Sequence, residues 1–403
     1  MGRETGNGVT GREPVRERAE PAYRRDAATW VAFGALFAFG VLNAMLGPIL
    51  PYLRQTEGIS YVVAALHQAA FAVGGMTAGV LASRSSAPRR PTIALGLTAA
   101  GAAGVLLTYG HFLPVTLGAA MLVSAFGTTA LIRVWALLAD LHHVHRAMAM
   151  SEGEVAVSLA GIATPAVVAA CAAAAVGWRF SSVIAFAGVI AAVVAVLATQ
   201  IPEARPASDR TDAADGQAAP RRTLATIFAL VGLEFTLSFW AATYLHDDVG
   251  VARGTAVTMV SVLYAANLVG RVAASRLARL LSVRGELRLF LLIAALGLPV
   301  LLIASSVAIA AVGLTITGIG IGGTFPLASA VHVAASNRTA DQALGQILTI
   351  AGVGQIIGPL AAGALAQAGG LRLGLLVLPA LTLLAAVTTR RGRAQRRGAA
   401  ARG

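Results

Sequence analysis

The stretch LATIFALVGLEFTLSFWAATYL, residues 224–245, is apolar except for one charged residue, Glu234. A helix of this length spans about 33 Å, close to the roughly 30 Å thickness of a bilayer's hydrocarbon core. The stretch therefore predicts a membrane-spanning helix with an acidic side chain about 16 Å deep, near its centre. An ionisable group at that depth is energetically costly, so it indicates a functional site or a buried partner.

Similar apolar runs recur from Thr29 to Thr388. Overall, 57% of the residues are hydrophobic and only 12% are charged, which is too little charge to cover a soluble domain. The pattern predicts an all-α polytopic membrane protein. Twelve helices are expected near residues 28–50, 59–82, 91–109, 113–139, 147–173, 178–200, 223–245, 254–280, 287–304, 306–331, 341–367 and 371–389.

The basic residues are all arginine: there are 31 of them, no lysine, and the net charge is +13. The absence of lysine excludes a P-loop, a Schiff-base lysine and a Ser-x-x-Lys nucleophile. Cys171 is the single cysteine, so no intrachain disulfide or cysteine-based metal site is possible. Since no nucleophile with its base and no metal cluster is evident, we expect neither an enzyme nor a bound cofactor or metal.

The arginines flank the predicted spans, which favours an explanation by membrane topology over nucleic-acid binding. Residues 1–27 contain six arginines, and six more follow the last helix. The loops predicted on the other side contain one each: Arg54, Arg179, Arg253 and Arg372. The positive-inside rule then predicts a multi-pass protein of the cell membrane with both termini in the cytoplasm.

Composition also divides the chain into segments. The predicted organisation is a disordered cytoplasmic tail (1–27), a six-helix bundle (28–200), a cytoplasmic linker (201–222), a second six-helix bundle (223–389) and a basic cytoplasmic tail (390–403). The two bundles share local patterns. Ala82-Ser83-Arg84 ends the second helix and Ala274-Ser275-Arg276 the eighth, while Pro165 and Pro359 lie at similar offsets in the fifth and eleventh. These correspondences indicate a duplicated unit, as in transporters built from parallel repeats.

The segment GVLASRSSAPRR, residues 79–90, resembles the loop between helices two and three in the major facilitator superfamily. That family has glycine–x–leucine–alanine–aspartate–arginine followed by a basic pair, and here Ser83 replaces the aspartate. ALLADL, residues 136–141, is similar to the family's end of helix four. The resemblance implies a cytoplasmic gate in which Asp140 pairs with Arg84. Its expected members are Gly79, Arg84, Arg89, Arg90 and Asp140.

The resemblance covers residues 28–389 and implies twelve transmembrane helices in two pseudo-symmetric six-helix bundles. These bundles would rock about a cavity lined mainly by helices one, four, seven and ten. The family's export motif belongs in helix five, but its best match here is GVGQIIGPLAAG in helix eleven, residues 352–363. The expected partners are a small-molecule substrate, protons and the lipid bilayer, with the chain acting as a monomer.

Three functions stay open at this stage. The first is proton-coupled export of a small, partly apolar organic solute by antiport, with Glu234 as proton carrier. The second is proton-symport uptake of a small organic anion, whose charge Arg133 or Arg271 would neutralise. The third, from another class, is a membrane sensor or scaffold that moves no solute.

Three further charged residues are predicted inside the membrane. Arg133 in helix four lies at a depth similar to that of Glu152 and Glu154 in helix five. An arginine can bind a carboxylate in a bidentate manner, so we predict that Arg133 pairs with one of the two, Glu152 being favoured. The pair would either couple to protons or substrate, or brace the two helices. Glu234, Glu152 and Glu154 are thus the candidate proton-coupling residues.

Other polar and aromatic residues in the apolar helices are candidates for the substrate cavity. A proline break in helix ten is expected at Pro326. Trp240 and Phe239, about a turn and a half above Glu234, would either stack on a substrate ring or pack against neighbouring helices, which is the more common role of aromatic side chains in apolar helices. The candidate cavity residues are Arg133, Asn43, Trp240, Tyr264, Asn267, Arg271, Pro326, Gln346 and Gln355.

Overall fold

The structure is a computed structural model that describes residues 23–82, 87–142, 145–203, 221–278, 280–336 and 340–389. Its regular elements are α-helices, and the described residues contain no strand. Residues 1–22, most of the predicted linker and the segment 390–403 lie outside the described residues, so their assignment as tails and linker stays a prediction.

The N-terminal half contains seven described helices. They are α1 (Ala27–Asn43), α2 (Leu46–Glu57), α3 (Tyr61–Ala82), α4 (Arg89–Tyr109), α5 (Leu113–Leu141), α6 (Arg146–Ala173) and α7 (Phe180–Ala198). The C-terminal half contains seven more. They are α8 (Arg221–Asp247), α9 (Arg253–Leu277), α10 (Val283–Leu302), α11 (Val307–Gly322), α12 (Thr324–Ala335), α13 (Ala340–Gly374) and α14 (Val377–Thr388).

Within the described part of the chain, eleven helical stretches are long and apolar enough to cross a membrane. Two of these stretches are broken helices, α1 with α2 and α11 with α12. The predicted turn between the last two spans is present, because Gly369 and Gly370 leave helical geometry inside α13. The end of α13 and the shorter apolar helix α14 then occupy the region of the predicted twelfth span.

The first span is longer than the predicted 28–50, because it continues to Glu57. It breaks after Asn43, two residues before α2 begins. Pro48 has no N–H to donate to the carbonyl of residue 44, so the sequence cannot continue the helical hydrogen bonding there. The break places the second half of the span, α2, against α8 of the other half of the chain.

The tenth span breaks at Gly323, three residues before the predicted position. Pro326 lies in the first turn of α12, where a missing N–H costs least. Its missing donor leaves the carbonyl of Gly322 without an intrahelical partner, which explains why the break precedes the proline. The prediction was therefore right about the cause and wrong about the residue.

The helices form two bundles, one from α1–α7 and one from α8–α14. In the first, α4 packs against α5 and α7, and α1 against α6. In the second, α8 packs against α13 and α14, and α10 against α11. The bundles meet where α6 contacts α9, α3 contacts α13 and α2 contacts α8. These are the contacts expected of two six-helix bundles facing a shared centre.

Two membrane sides can be distinguished by their arginines. The arginine-rich side carries Arg25, Arg89 and Arg276, and the opposite side carries Arg54, Arg179, Arg253 and Arg372. Glycine permits the closest approach of the bundles. A side chain at Gly47 on α2 would collide with the backbone oxygen of Ser238 on α8, so small size at this position lets the bundles touch beside the centre.

Candidate functional site

Glu234 is the middle residue of α8. Its side chain is 21% exposed, so it faces a space that solvent can enter. Asn267 on α9 donates from Nδ2 to Oε1 of Glu234 at 3.2 Å. The predicted acid is therefore held by a polar neighbour from its own bundle and remains accessible.

Arg271, one helical turn from Asn267, connects the acid to the other bundle. Its Nη1 lies 2.7 Å from Oε2 of Glu154 on α6, and its Nη2 lies 3.8 Å from Oε1 of Glu234. One guanidinium is thus shared between carboxylates on two bundles. We name Glu154, Glu234, Asn267 and Arg271 the central cluster.

The central cluster lies between the middle of the membrane and the arginine-rich side. Arg271 is six residues, about 9 Å, from the end of α9, and Glu154 is eight residues, about 12 Å, from the start of α6. Glu154 is 49% exposed and Arg271 is 30% exposed. Both charges therefore contact solvent while they join the bundles.

The predicted pairing of Arg133 with Glu152 or Glu154 is wrong. Glu154 pairs with Arg271, and Glu152 accepts hydrogen bonds from Arg25 and Tyr23. The reason is helical rotation: residues two apart on a helix point about 200° apart, so the two acids face different neighbours. Arg133 is half-buried on α5.

The segment before α1 reaches across to α6. The Tyr23 hydroxyl donates to Oε2 of Glu152 at 2.8 Å, and Nε of Arg25 donates to the same oxygen at 2.9 Å. Burial and the hydrogen bond to this carboxylate raise the pKa of Tyr23 to about 12, and the bond to Glu152 raises the pKa of Arg25. The Tyr23 ring also packs on His142, with centroids 4.9 Å apart. The last residues of the predicted tail therefore contact the bundle.

Tyr264 lies on α9 beside the central cluster. Its ring fills the space over Gly161 of α6, where a side chain would collide with it. Ser238 lies one turn beyond Glu234 on α8, and its hydroxyl donates to the backbone oxygen of Glu234 at 2.9 Å. Asn267 is 6% exposed, and its Oδ1 has no hydrogen-bond partner among the described residues. The cluster thus retains an unused acceptor at its centre.

Trp240 does not line an open space in this conformation. It is fully buried, and its Nε1 donates to the backbone oxygen of Pro359 at 3.1 Å. Its ring packs edge-on against Phe239 and Tyr61. The predicted stacking on a substrate is therefore replaced by packing between α8, α13 and α3.

The remaining predicted cavity residues do not join the central cluster through any described hydrogen bond. Asn43 is half-buried at the end of α1, next to the helix break. Gln346 and Gln355 are half-buried on α13, and Pro326 is exposed on α12. Their predicted role in the substrate cavity stays a prediction.

Two of the predicted gate residues on the arginine-rich side, Arg89 and Asp140, form an ion pair. Asp140 at the end of α5 binds Arg89, with Nη2 and Oδ2 2.5 Å apart, and Arg89 also donates to the carbonyl of Pro202. Arg84 lies outside the described residues. The predicted pair of Asp140 with Arg84 therefore stays a prediction. Since α4 begins beside the end of α5, the contact between Arg89 and Asp140 braces the first bundle internally. Gly79 lies near the end of α3 and Arg90 in the first turn of α4.

A second contact between the bundles closes the opposite side. Nη1 of Arg54 on α2 lies 2.5 Å from Oδ2 of Asp247 at the end of α8, and the Tyr61 hydroxyl donates to the same oxygen at 2.9 Å. The Arg54 guanidinium also lies 3.7 Å from the centre of the Tyr61 ring. We name Arg54, Tyr61 and Asp247 the opposite-side latch.

Arg253 reinforces the opposite-side latch from the other bundle. It donates to the side-chain oxygen of Gln55 on α2 and lies 5.5 Å from the centre of the Tyr52 ring. Sequence analysis missed this function because it used Arg54 and Arg253 only as topology markers. Their positions close in sequence to acidic residues, Glu57 for Arg54 and Asp247 for Arg253, were the available signal.

Two helical bundles, with a central charged cluster exposed to solvent and a contact that joins the bundles on one side, form the architecture of a membrane transporter. Among the described residues, no group of three or more His, Cys, Asp or Glu side chains is arranged to hold a metal ion. The model of the Major Facilitator Superfamily matches residues 32–341. The chain belongs to this family, and it is a secondary transporter.

Solved structures with the same fold include several transporters. A bacterial homologue of the human lysosomal transporter Spinster, in an inward-facing and occupied conformation, is 17% identical, with a TM-score of 0.70 over 91% of this chain and 93% of its own. The human organic anion transporter MFSD10 (TETRAN) is 17% identical, with a TM-score of 0.66 over 92% and 100% of the two chains. A D-xylose–proton symporter is 12% identical, with a TM-score of 0.71 over 91% and 97%.

At these identities the similarities show the fold alone. No curated protein sequence matches this chain.

Proposed function

We propose that the protein is a proton-coupled antiporter of the cell membrane that exports a small organic solute, and that the central cluster couples the two fluxes. The observation that carries the proposal is the position of Arg271, between Glu234 of its own bundle and Glu154 of the other. When Glu234 gains or loses a proton, its attraction for the Arg271 guanidinium changes. Its competition with Glu154 for that guanidinium changes with it.

The electrostatic effect is large enough to control a conformational equilibrium. At 3.8 Å, a full charge on Glu234 attracts Arg271 by about 4 kcal/mol in surroundings with an effective dielectric constant of 20. Partial solvation reduces this value, but about 1.4 kcal/mol already changes an equilibrium tenfold. Proton binding to Glu234 removes this attraction, so that Glu154 alone binds Arg271.

This competition produces exchange. An ionised, empty Glu234 draws Arg271 away from Glu154 and so opposes closure of the bundles on the arginine-rich side. Either a proton or a hydrogen-bond-donating group of the solute satisfies Glu234 and frees Arg271 to bridge the bundles. Only a loaded transporter then changes sides, so solute moves one way as protons move the other.

Under this proposal the structure is an inward-facing form in which the bridge from Arg271 to Glu154 is already made, the arrangement that precedes closure of the arginine-rich side. The opposite-side latch holds the bundles together on the other side, while Glu154 and Arg271 remain partly exposed. The positive-inside rule places the arginine-rich side, and with it both termini, in the cytoplasm. The central cluster is then open to cytoplasmic solute and protons.

A second candidate is uptake of a small organic anion by proton symport. The observation that favours it is the exposed guanidinium of Arg271, which an anion could bind in place of Glu154. One structure with this fold is an organic anion transporter, and another is a proton symporter. The two candidates predict opposite proton movement when solute is added.

The test uses purified protein in proteoliposomes, with solutes first selected by their ability to raise its melting temperature. Solute flux and lumenal pH are followed for wild type, Glu234→Gln and Glu286→Gln. Glu286 is the matched control because it is a buried carboxyl of the same bundle without a hydrogen-bond partner among the described residues.

We expect Glu234→Gln to abolish pH-driven flux and to keep solute exchange at zero pH gradient, while Glu286→Gln retains both. An unchanged pH dependence in Glu234→Gln contradicts the coupling role. Proton entry together with solute, rather than against it, supports the symporter instead. Wild-type vesicles that bind solute without any flux support the sensor or scaffold.

A further inference from the structure

A long groove lies on the outer surface of the second bundle, between α10 and α14. Its volume is about 1050 Å³, and most of its lining is aliphatic. Leucine, alanine and proline side chains from both helices form its walls, among them Leu292, Ala295, Leu298, Pro379, Leu383 and Ala386. Leu292 and Leu383 on its walls are 57% and 64% exposed. Because these exposed leucines lie on apolar helices of a membrane protein, hydrocarbon rather than water borders the groove.

Among the described residues that line the groove, only one is charged. Arg288 lies at the end of the groove on the arginine-rich side, and it is exposed. Its Nη2 donates to the backbone oxygen of Thr389, just beyond α14, at 3.2 Å. This bond holds the guanidinium over the mouth of the groove and leaves its other N–H donors available.

A second positive charge lies near this mouth. Arg284 lies one helical turn before Arg288 on the same face of α10 and is exposed. Among the described residues, no acidic side chain lines the groove. The groove therefore joins an apolar channel to a cationic end.

The dimensions match a membrane lipid. From Arg288 to Leu302 the groove follows fifteen residues of α10, or about 21 Å. One leaflet contributes about 15 Å of a hydrocarbon core of roughly 30 Å. An acyl chain that begins at the level of Arg288 thus lies within the groove for its whole length.

We propose that the groove binds an anionic phospholipid from the leaflet on the arginine-rich side, with its phosphate on Arg288 and an acyl chain between α10 and α14. Guanidinium groups bind phosphate through paired charge-assisted hydrogen bonds. A zwitterionic lipid carries an ammonium group that Arg284 and Arg288 repel, so the site discriminates by headgroup charge. The proposal does not depend on which solute is transported.

Native mass spectrometry of the purified, full-length transporter tests this site. Protein is released from nanodiscs of equal phosphatidylglycerol and phosphatidylethanolamine, and the retained lipid is counted for wild type, Arg288→Gln and Ala295→Trp. Arg276→Gln is the matched charge control, because Arg276 is exposed on the same side but does not line the groove. Ala191→Trp on α7 is the matched control for added bulk at an exposed alanine.

We expect wild type to retain phosphatidylglycerol preferentially. Arg288→Gln reduces that preference about fivefold, the effect of one arginine near a membrane surface. Ala295→Trp reduces retention of both lipids, and the two controls match wild type. A thermal shift induced by phosphatidylglycerol follows the same order.

Equal retention of the two lipids by wild type overturns the proposal, because a neutral occupant then fills the groove. Equal losses in Arg288→Gln and Arg276→Gln also overturn it, since they show a general effect of surface charge. A third contrary outcome is unchanged retention in Ala295→Trp, which places the lipid elsewhere. Reduced melting temperature of the variants in detergent without lipid identifies misfolding, and Arg288→Lys then replaces Arg288→Gln, with partial retention expected.

Discussion

Arg271 on α9 and Glu154 on α6 form an ion pair of 2.7 Å that joins the two bundles on the arginine-rich side of the protein. The same guanidinium lies 3.8 Å from Glu234, the acid at the centre of α8. The contact between bundles and the intramembrane acid are therefore parts of one charge system. Under the proposed function, rocking of the bundles and ionisation of Glu234 each alter the other.

The first prediction concerns the coupling of Glu154 and Arg271. Glu154→Gln and Arg271→Gln each slow transport, and the double variant is no slower than Arg271→Gln alone. Both side chains are partly exposed, so the interaction is worth about 1 kcal/mol, or about fivefold in rate. Initial exchange rates in proteoliposomes give the double-mutant cycle.

Glu152 provides the control for this cycle, because it lies two residues from Glu154 and binds the segment before α1. Glu152→Gln combined with Arg271→Gln gives effects that add. Additive effects in the Glu154 cycle would show that the ion pair has no part in the transport cycle.

The second prediction concerns the opposite-side latch. Asp247→Asn removes the charge that Arg54 binds and weakens closure by about 1–2 kcal/mol, which raises the open population roughly 5–30-fold. The thiol of Ser238→Cys, introduced together with Cys171→Ala, then reacts faster with an impermeant thiol reagent. The reagent is added from the membrane side that carries the opposite-side latch.

Asp248→Asn is the matched control, because Asp248 accepts a hydrogen bond from the backbone of Arg372 within its own bundle. This variant leaves the labelling rate near that of wild type. Equal acceleration by both variants would assign the effect to local loosening of the loop after α8.

The third prediction separates structural and substrate roles of Trp240. Trp240→Phe leaves the carbonyl of Pro359 without its indole donor and costs about 1–3 kcal/mol of stability. Substrate affinity changes little. The melting temperature and the KM for exchange are measured in parallel with Trp30→Phe, whose ring is 60% exposed. A changed KM at unchanged stability would restore the predicted stacking role.

The fourth prediction concerns pH and the segment before α1. Tyr23 has a folded pKa of about 12, above its ordinary value near 10. The contribution of the Tyr23 hydroxyl to the stability of the segment is therefore complete below about pH 10. It is lost only as the pH rises through about 12. The hydrogen bond to Glu152 persists between pH 6 and 9, and Tyr23→Phe weakens the segment equally at both values.

Hydrogen exchange of residues 23–30, corrected for intrinsic rates, measures this stability. Tyr109→Phe at an exposed tyrosine of α4 is the control and has no effect on the segment. Release of the wild-type segment between pH 6 and 9 would show that another group controls it.

Much of the fold could be predicted because hydropathy acts locally. Each span is an apolar run of suitable length, and prolines with neighbouring glycines explain the breaks near Pro48 and Pro326. The break in the tenth span was displaced because proline removes the hydrogen bond of the preceding turn, so the helix opens before the proline itself.

The candidate site was predicted less completely. Glu234 and Asn267 were recognised because a polar residue in an apolar helix is costly. Depth along each helix placed Glu154, Glu152 and Arg133 at one level, but depth says nothing about rotation about the helix axis. That rotation decided that Glu154 faces Arg271 while Glu152 faces Arg25.

The sequence by itself determined that this chain crosses a membrane many times, that it consists of two related halves, and that an acid lies at the centre of one span. These properties follow from the cost of placing polar groups in hydrocarbon, which each segment meets on its own. Tertiary structure alone decided which charges meet. Arg271 and Glu154 are 117 positions apart, and Arg54 and Asp247 are 193 apart, so their contacts depend on how rigid helices rotate and pack between bundles.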